Sequence, residues 1–203
     1  MDTILFGSYE VAASVVPCLF LYGMKKKDRE KGMSFFTLAT SLLFALYIIA
    51  VYHVTEVGTM YDVGCLPPEG PNISLLPFSN DIDFVGYLLN IVMLMPFGFF
   101  LPCMRKVWDK PLRITLMGAL FSTFIETAQL FNHRATDIDD VIMNTIGAYF
   151  GYLLYRVFRK KIQGMRKKQE CPACLAFLII VTGFAGRFLL YNTREIAELL
   201  YYF

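Results

Sequence analysis

A chain of 203 residues that is 56% hydrophobic, 16% aromatic and only 18% charged, with a mean hydropathy of +0.50, holds more apolar surface than a soluble domain of that size can bury. Its net charge of +2 says little, because the 19 Lys and Arg cluster between apolar runs and so record membrane topology rather than an affinity for nucleic acid. In chain order, apolar stretches fall at 4–23, 35–54, 84–103, 112–131, 141–158 and 172–191. Each approaches the roughly 20 residues that cross about 30 Å of hydrocarbon at 1.5 Å per residue. The expected fold is therefore all-α, a polytopic helical bundle of about six transmembrane helices forming a single membrane domain over 1–203. The stretch at 4–23 carries Glu10 and Pro17, and its charges follow it rather than precede it, so it reads as a retained helix and not as a signal peptide. Together with 35–54 it makes a two-helix extension over residues 1–55.

Orientation follows from the basic residues. Five lie in the first connection (Lys25, Lys26, Lys27, Arg29, Lys31), four in the third (Arg105, Lys106, Lys110, Arg113) and seven in the fifth, from Arg156 to Lys168. The second and fourth connections hold only Arg134 between them. The positive-inside rule places the first set in the cytoplasm, which makes the protein multi-pass with both termini exoplasmic. Of the five cysteines, only Cys65 lies in an exoplasmic connection, so the sequence supports no disulfide framework. Cys171 and Cys174 have redox-motif spacing, but they open a membrane helix on the reducing side and read as helix-start residues.

The connection from Glu56 to Asp83 is the one long loop. Its Pro67-Pro68 and Gly70-Pro71 pairs exclude a helix. Ile73 to Phe78 is apolar, which is unusual for a free aqueous loop, and predicts a segment that re-enters the interface and packs against the helix ends. Asn72-Ile-Ser74 fits an N-glycosylation sequon, a pattern common by chance.

Polar residues then interrupt the apolar pattern: Ser122, Glu126, Gln129, His133, Arg134, Asp137, Asp139, Asp140 and Asn144. An ionisable side chain inside a membrane is costly and so points to function. At about 100° per residue, Ser122, Glu126, Gln129 and His133 share a narrow stripe on the helix at 112–131, with Glu126 roughly 7 to 8 Å below its outer boundary. Asp140, Asn144, Gly147 and Gly151 form a second stripe on the following helix. Gly147 and Gly151 have the small-xxx-small spacing of closely approaching helices, so the polar ends of these two helices are expected to press together. Asn90, Glu10 and Arg187 stand at comparable depth on three other helices, and together these groups suggest an outward-facing pocket in which Arg187 or Arg134 pairs with Glu10, Glu126 or an aspartate.

Four segments in order resemble elements of the VanZ-like membrane proteins. Asn72 to Phe78 resembles an N-L-x-P-F element with one additional residue, Asn90 to Gly98 resembles N-x4-5-P-F-G, Glu126 to Gln129 resembles E-x-x-Q, and Ala135 to Gly147 resembles T-D-I-x-D-x3-N-T-x-G. The likeness covers about 72–158, with a looser match in the last helix and tail at 171–203. The resemblance implies a link to glycopeptide resistance, teicoplanin above all, and carries over Asn90, Pro96, Glu126, Gln129, Asp137, Asp140 and Asn144. Asp139 falls on the variable position of its element and Arg134 is not demanded by every version, so both rank below the others.

Structural roles compete for the same residues. Asp137 and Asp140 suit a cap and a first-turn acid, worth about 1 kcal/mol. Pro96 suits a kink with Gly98 relieving the packing, and Asn90 and Asn144 suit interhelical hydrogen bonds of about 0.6 kcal/mol each. Glu126 is the hardest to explain without function. Two classes stand open. In the first, the protein is an intramembrane enzyme acting on a lipid or lipid-linked cell-wall precursor at the outer leaflet. Glu126 is then the general acid or base, Asp137 and Asp140 hold Mg²⁺ or orient Glu126, and Asn90, Gln129, Asn144, Arg134 and Arg187 bind the head group. In the second it is a non-enzymatic binder or transporter that shields the precursor or the antibiotic. The inner halves of the helices are apolar and small, which makes transport the weaker variant.

Overall fold

The computed structural model describes residues 8–9, 11–13, 35–62, 73–78, 83–132, 136–166 and 174–192. Most of the stretch at 4–23, with Glu10, lies outside them, as do Cys65, Asn72, His133, Arg134 and Cys171. Five long helices make up the described chain: α1 (Phe35–Val54), α2 (Phe84–Met104), α3 (Pro111–Gln129), α4 (Ile138–Met165) and α5 (Leu175–Leu190). Short 3-10 turns follow α2 at Lys106–Trp108 and α3 at Leu130–Asn132. The all-α expectation therefore holds, apart from a parallel pair of two-residue strands, β1 (Ile73–Ser74) and β2 (Thr136–Asp137), in register Ile73↔Thr136 and Ser74↔Asp137.

Local chemistry sets the helix limits. Asp83 caps α2 by accepting from the Val85 and Gly86 amides at 3.1 and 3.0 Å, and Asp137 caps α4 by accepting from Asp139 N at 3.0 Å. Pro111 starts α3, where its missing N–H costs nothing. Hydroxyls inside the apolar helices bond back to their own turn, as Thr40 does to Phe36 O at 2.7 Å and Ser41 to Thr37 O at 2.8 Å. Among the described residues two helices, α1 and α2, are long and apolar enough to cross a bilayer, and α5 is a shorter apolar helix. α4 runs to Met165, past the apolar limit at 158, because Arg156 to Lys161 end the hydropathy signal without ending helix propensity.

α2 and α4 start at the same end of the bundle, run in the same direction and share its most extensive contact. Glycine permits the approach. A Cβ on Gly147 would collide with Ile91 O, one on Gly151 with Met95 O, and one on Gly98 with Ala148 O. The glycine stripe thus lies against α2 rather than α3, which meets α4 through Gly118 and Ala148. Inside, Phe97 and Phe121 stack at 4.8 Å, flanked by Phe44 and Tyr52. Tyr52 closes against α5 by donating to Ile180 O at 2.9 Å.

The two ends of the bundle differ. One gathers the last turns of α1, α3 and α5 with the first turns of α2 and α4, and carries the described acids other than Asp109. At the other, Asp109 forms an ion pair with Arg159 at 2.8 Å and accepts from Tyr152 and Gln163 at 3.4 Å, which fastens the α2–α3 connection to α4. Arg105, Lys106, Lys110, Arg113, Arg156, Lys160, Lys161 and Arg166 share that basic end.

Candidate functional site

The acidic end is assembled from α2, α3, α4 and the strand pair. Glu126 is 4% exposed, and its Oε2 accepts from Asp137 N at 3.2 Å. Thr136 Oγ1 donates to Glu126 O at 3.1 Å, so β2 is seated on the last full turn of α3. One turn deeper, Asn144 donates through Nδ2 to Ser122 Oγ at 2.9 Å. Both side chains are sealed from solvent, at 1% and 0% exposure, and Asn144 Oδ1 has no hydrogen-bond partner among the described residues. Asn90 on α2 donates to Asp140 Oδ1 on α4. The polar ends of the helices therefore do meet, with Asn90 joining them from α2.

Asp139 holds the loop. It is 2% exposed, and its carboxylate accepts from Phe78 N at 3.0 and 3.2 Å and from the Tyr87 hydroxyl at 2.6 Å. Phe78 sits at a positive φ of 55°, and its ring packs edge-on against Tyr87 at 6.2 Å. Asp137, Asp139 and Asp140 crowd the start of α4, close to the N-terminus of α2. The amide ends of two parallel helices temper their repulsion. Neither Tyr87 nor the Phe78 amide stands out in the sequence. A tyrosine in the first turn of an apolar helix resembles an ordinary interfacial anchor, and a backbone N–H leaves no sequence signal at all.

Gln129 and Arg187 turn elsewhere. Gln129 Nε2 donates to Thr55 O at 2.8 Å, and Arg187 Nε donates to Val57 O at 3.0 Å. Two backbone bonds, Gly58 N to Ala128 O at 3.3 Å and Met60 N to Phe188 O at 2.9 Å, complete the fastening of the turn after α1 to α3 and α5. The Arg187 guanidinium also lies over the Tyr191 ring, 5.0 Å from its centroid. Gln129 Oε1 is buried and has no hydrogen-bond partner among the described residues. The expected pairings through Glu10 and Arg134 fall outside the described residues.

The described residues form no dedicated protein cage for a metal ion. Asp137 is engaged in capping α4 and Asp140 accepts from Asn90. Among the described residues, no three Asp, Glu, His or Cys side chains are placed to hold a metal ion.

A family model described as VanZ/LLP1 matches residues 42–159. Protein VanZ of Enterococcus faecium is 28% identical over 140 residues, which are 68% of this chain and 86% of that protein. No solved structure matches the chain.

Proposed function

The chain belongs to the VanZ/LLP1 family, and from that membership we propose that it is a multi-pass membrane protein whose acidic end faces outward and binds the head group of a lipid or lipid-linked cell-wall precursor. Its cellular role on this reading is the one the resemblance implies, glycopeptide resistance and teicoplanin resistance in particular. Multi-pass insertion is supported by the apolar outer faces of the helices. Leu42, Leu46, Leu88, Leu89, Leu116, Leu120, Val157 and Phe177 are all exposed, as they must be if lipid surrounds the bundle. The basic residues at the opposite end set the direction of insertion.

Glu126 carries the functional reading. Its carboxylate is buried where α3, β2 and the start of α4 meet, and accepts from Asp137 N at 3.2 Å. An ionisable side chain buried near the end of an apolar helix points to chemistry or charge recognition at that atom. On the enzymatic version Glu126 moves a proton on the bound head group, while Asn90 and Asp140 position it. On the binding version the same groups recognise the head group and nothing is transformed. Transport is the weaker variant, because below the polar layer α2 and α4 meet backbone to backbone at Gly98, Gly147 and Gly151, which leaves no room for a polar path between those two helices.

Susceptibility to teicoplanin, read beside the lipids and wall precursors extracted from cells carrying wild type, Glu126→Gln or Asp140→Asn, tests this reading. Both substitutions are expected to remove resistance. An accompanying change in lipid or precursor composition marks an enzyme, and an unchanged composition marks a binder. If neither substitution alters resistance or composition, the acidic end has no role in function.

A further inference from the structure

α4 is too long for the membrane. Its 28 residues extend about 42 Å at 1.5 Å each, about 12 Å more than a hydrocarbon core of about 30 Å. With its first turn in the polar layer, the surplus emerges at the basic end, where Arg156, Arg159, Lys160 and Lys161 follow one another without an acid. Arg159 is committed to Asp109, whereas Lys161 stands at the edge of a groove between α1, α2 and α4. This groove, of about 280 Å³, is lined by Phe36, Phe99, Phe100, Phe158 and Ile162, and among the described residues Lys161 is the only charged one in its wall. An aromatic slot of that kind suits an acyl chain, and a lysine where the helix leaves the hydrocarbon suits a phosphate.

We propose that this groove is a binding site for an anionic glycerophospholipid of the leaflet at the basic end, with one acyl chain lying along Phe99, Phe100 and Phe158 and the phosphate held by Lys161. The site is remote from Glu126 and does not depend on the chemistry assigned to the acidic end. It gives the protein a preference among bulk lipids rather than a substrate.

Native mass spectrometry of the full chain released from detergent, titrated with dioleoyl phosphatidylglycerol or dioleoyl phosphatidylcholine, reads the preference directly. Wild type is expected to retain one phosphatidylglycerol about fivefold more readily than phosphatidylcholine, the ratio one lysine gives near an anionic surface. Lys161→Gln should bring that ratio to about one, and Lys161→Glu should bring it to one or below. Lys110→Glu makes the same change of charge at the same end without touching the groove, and should leave the ratio intact. Glycerol 3-phosphate, which has the phosphate but no acyl chains, should fail to displace the lipid. A wild type without preference overturns the proposal. So does an equal loss in Lys110→Glu and Lys161→Glu, which would reveal only general surface charge, or displacement by glycerol 3-phosphate, which would reveal a bare anion site.

Discussion

At the residue scale, Asp139 does more than its position in the sequence motif suggests. A carboxylate with 2% exposure is tolerable only when its lone pairs are used, and Asp139 spends them on a backbone N–H of the loop and a hydroxyl of α2. It thereby fixes Phe78 at a positive φ that a bulky side chain rarely adopts without such support. Asp139→Ala removes the acceptor from both donors. The expected result is amide exchange about 30-fold faster over residues 73–78, equivalent to about 2 kcal/mol for hydrogen bonds to a charged group. Tyr87→Phe, which removes one bond and leaves the other, should produce a smaller acceleration in the same peptide. Hydrogen exchange read by mass spectrometry on the detergent-solubilised protein decides the matter, and an unaltered rate in Asp139→Ala would show that β1 and β2 hold the loop without it.

At the element scale, the decisive contact is the parallel packing of α2 on α4. Any side chain at Gly147 meets the Ile91 carbonyl, and a backbone oxygen is unable to swing away as a flexible side chain does. Gly147→Ala must therefore push the helices apart, at a cost of about 3 kcal/mol, the upper end of overpacking penalties. Gly164 lies on the same helix with open space around it, so Gly164→Ala should be neutral or stabilising by up to about 1 kcal/mol through helix propensity. Thermal unfolding in detergent should lower the midpoint for the first variant and hold or raise it for the second. The spacing of Gly147 and Gly151 made a close approach legible in the sequence, but not its partner. Spacing on one helix describes one surface only, and Gly98, the reciprocal residue on α2, sits beside Pro96 and reads as relief for a kink. The ends of α1 and α2 were legible because unbroken apolar runs define them. Asp139 was not, since its acceptor role depends on an amide 61 residues away. Gln129 and Arg187 read as pocket residues, whereas the structure aims their nitrogens at carbonyls of the turn after α1.

At the scale of the whole molecule, the described charges are separated between the two ends of the bundle, and the proposed direction of insertion rests on that separation. Arg187 is the only lysine or arginine among the described residues at the acidic end, and it is buried, while nine described basic residues, Arg105, Lys106, Lys110, Arg113, Arg156, Arg159, Lys160, Lys161 and Arg166, occupy the other. Under the proposed function, retention of positive connections in the cytoplasm puts the acidic end outside, on the same side as the cell-wall precursors. Two single-cysteine variants, built after replacing all five native cysteines by serine, report the two ends separately. Met60→Cys lies in the half-exposed turn fastened to α5, and Lys110→Cys precedes α3 at the basic end. A membrane-impermeant maleimide applied to intact cells should label Met60→Cys. It should reach Lys110→Cys only after permeabilisation. The reverse pattern would place Glu126 and its neighbours near the cytoplasm and rule out recognition of an outer-leaflet head group, even with every contact within the acidic end intact.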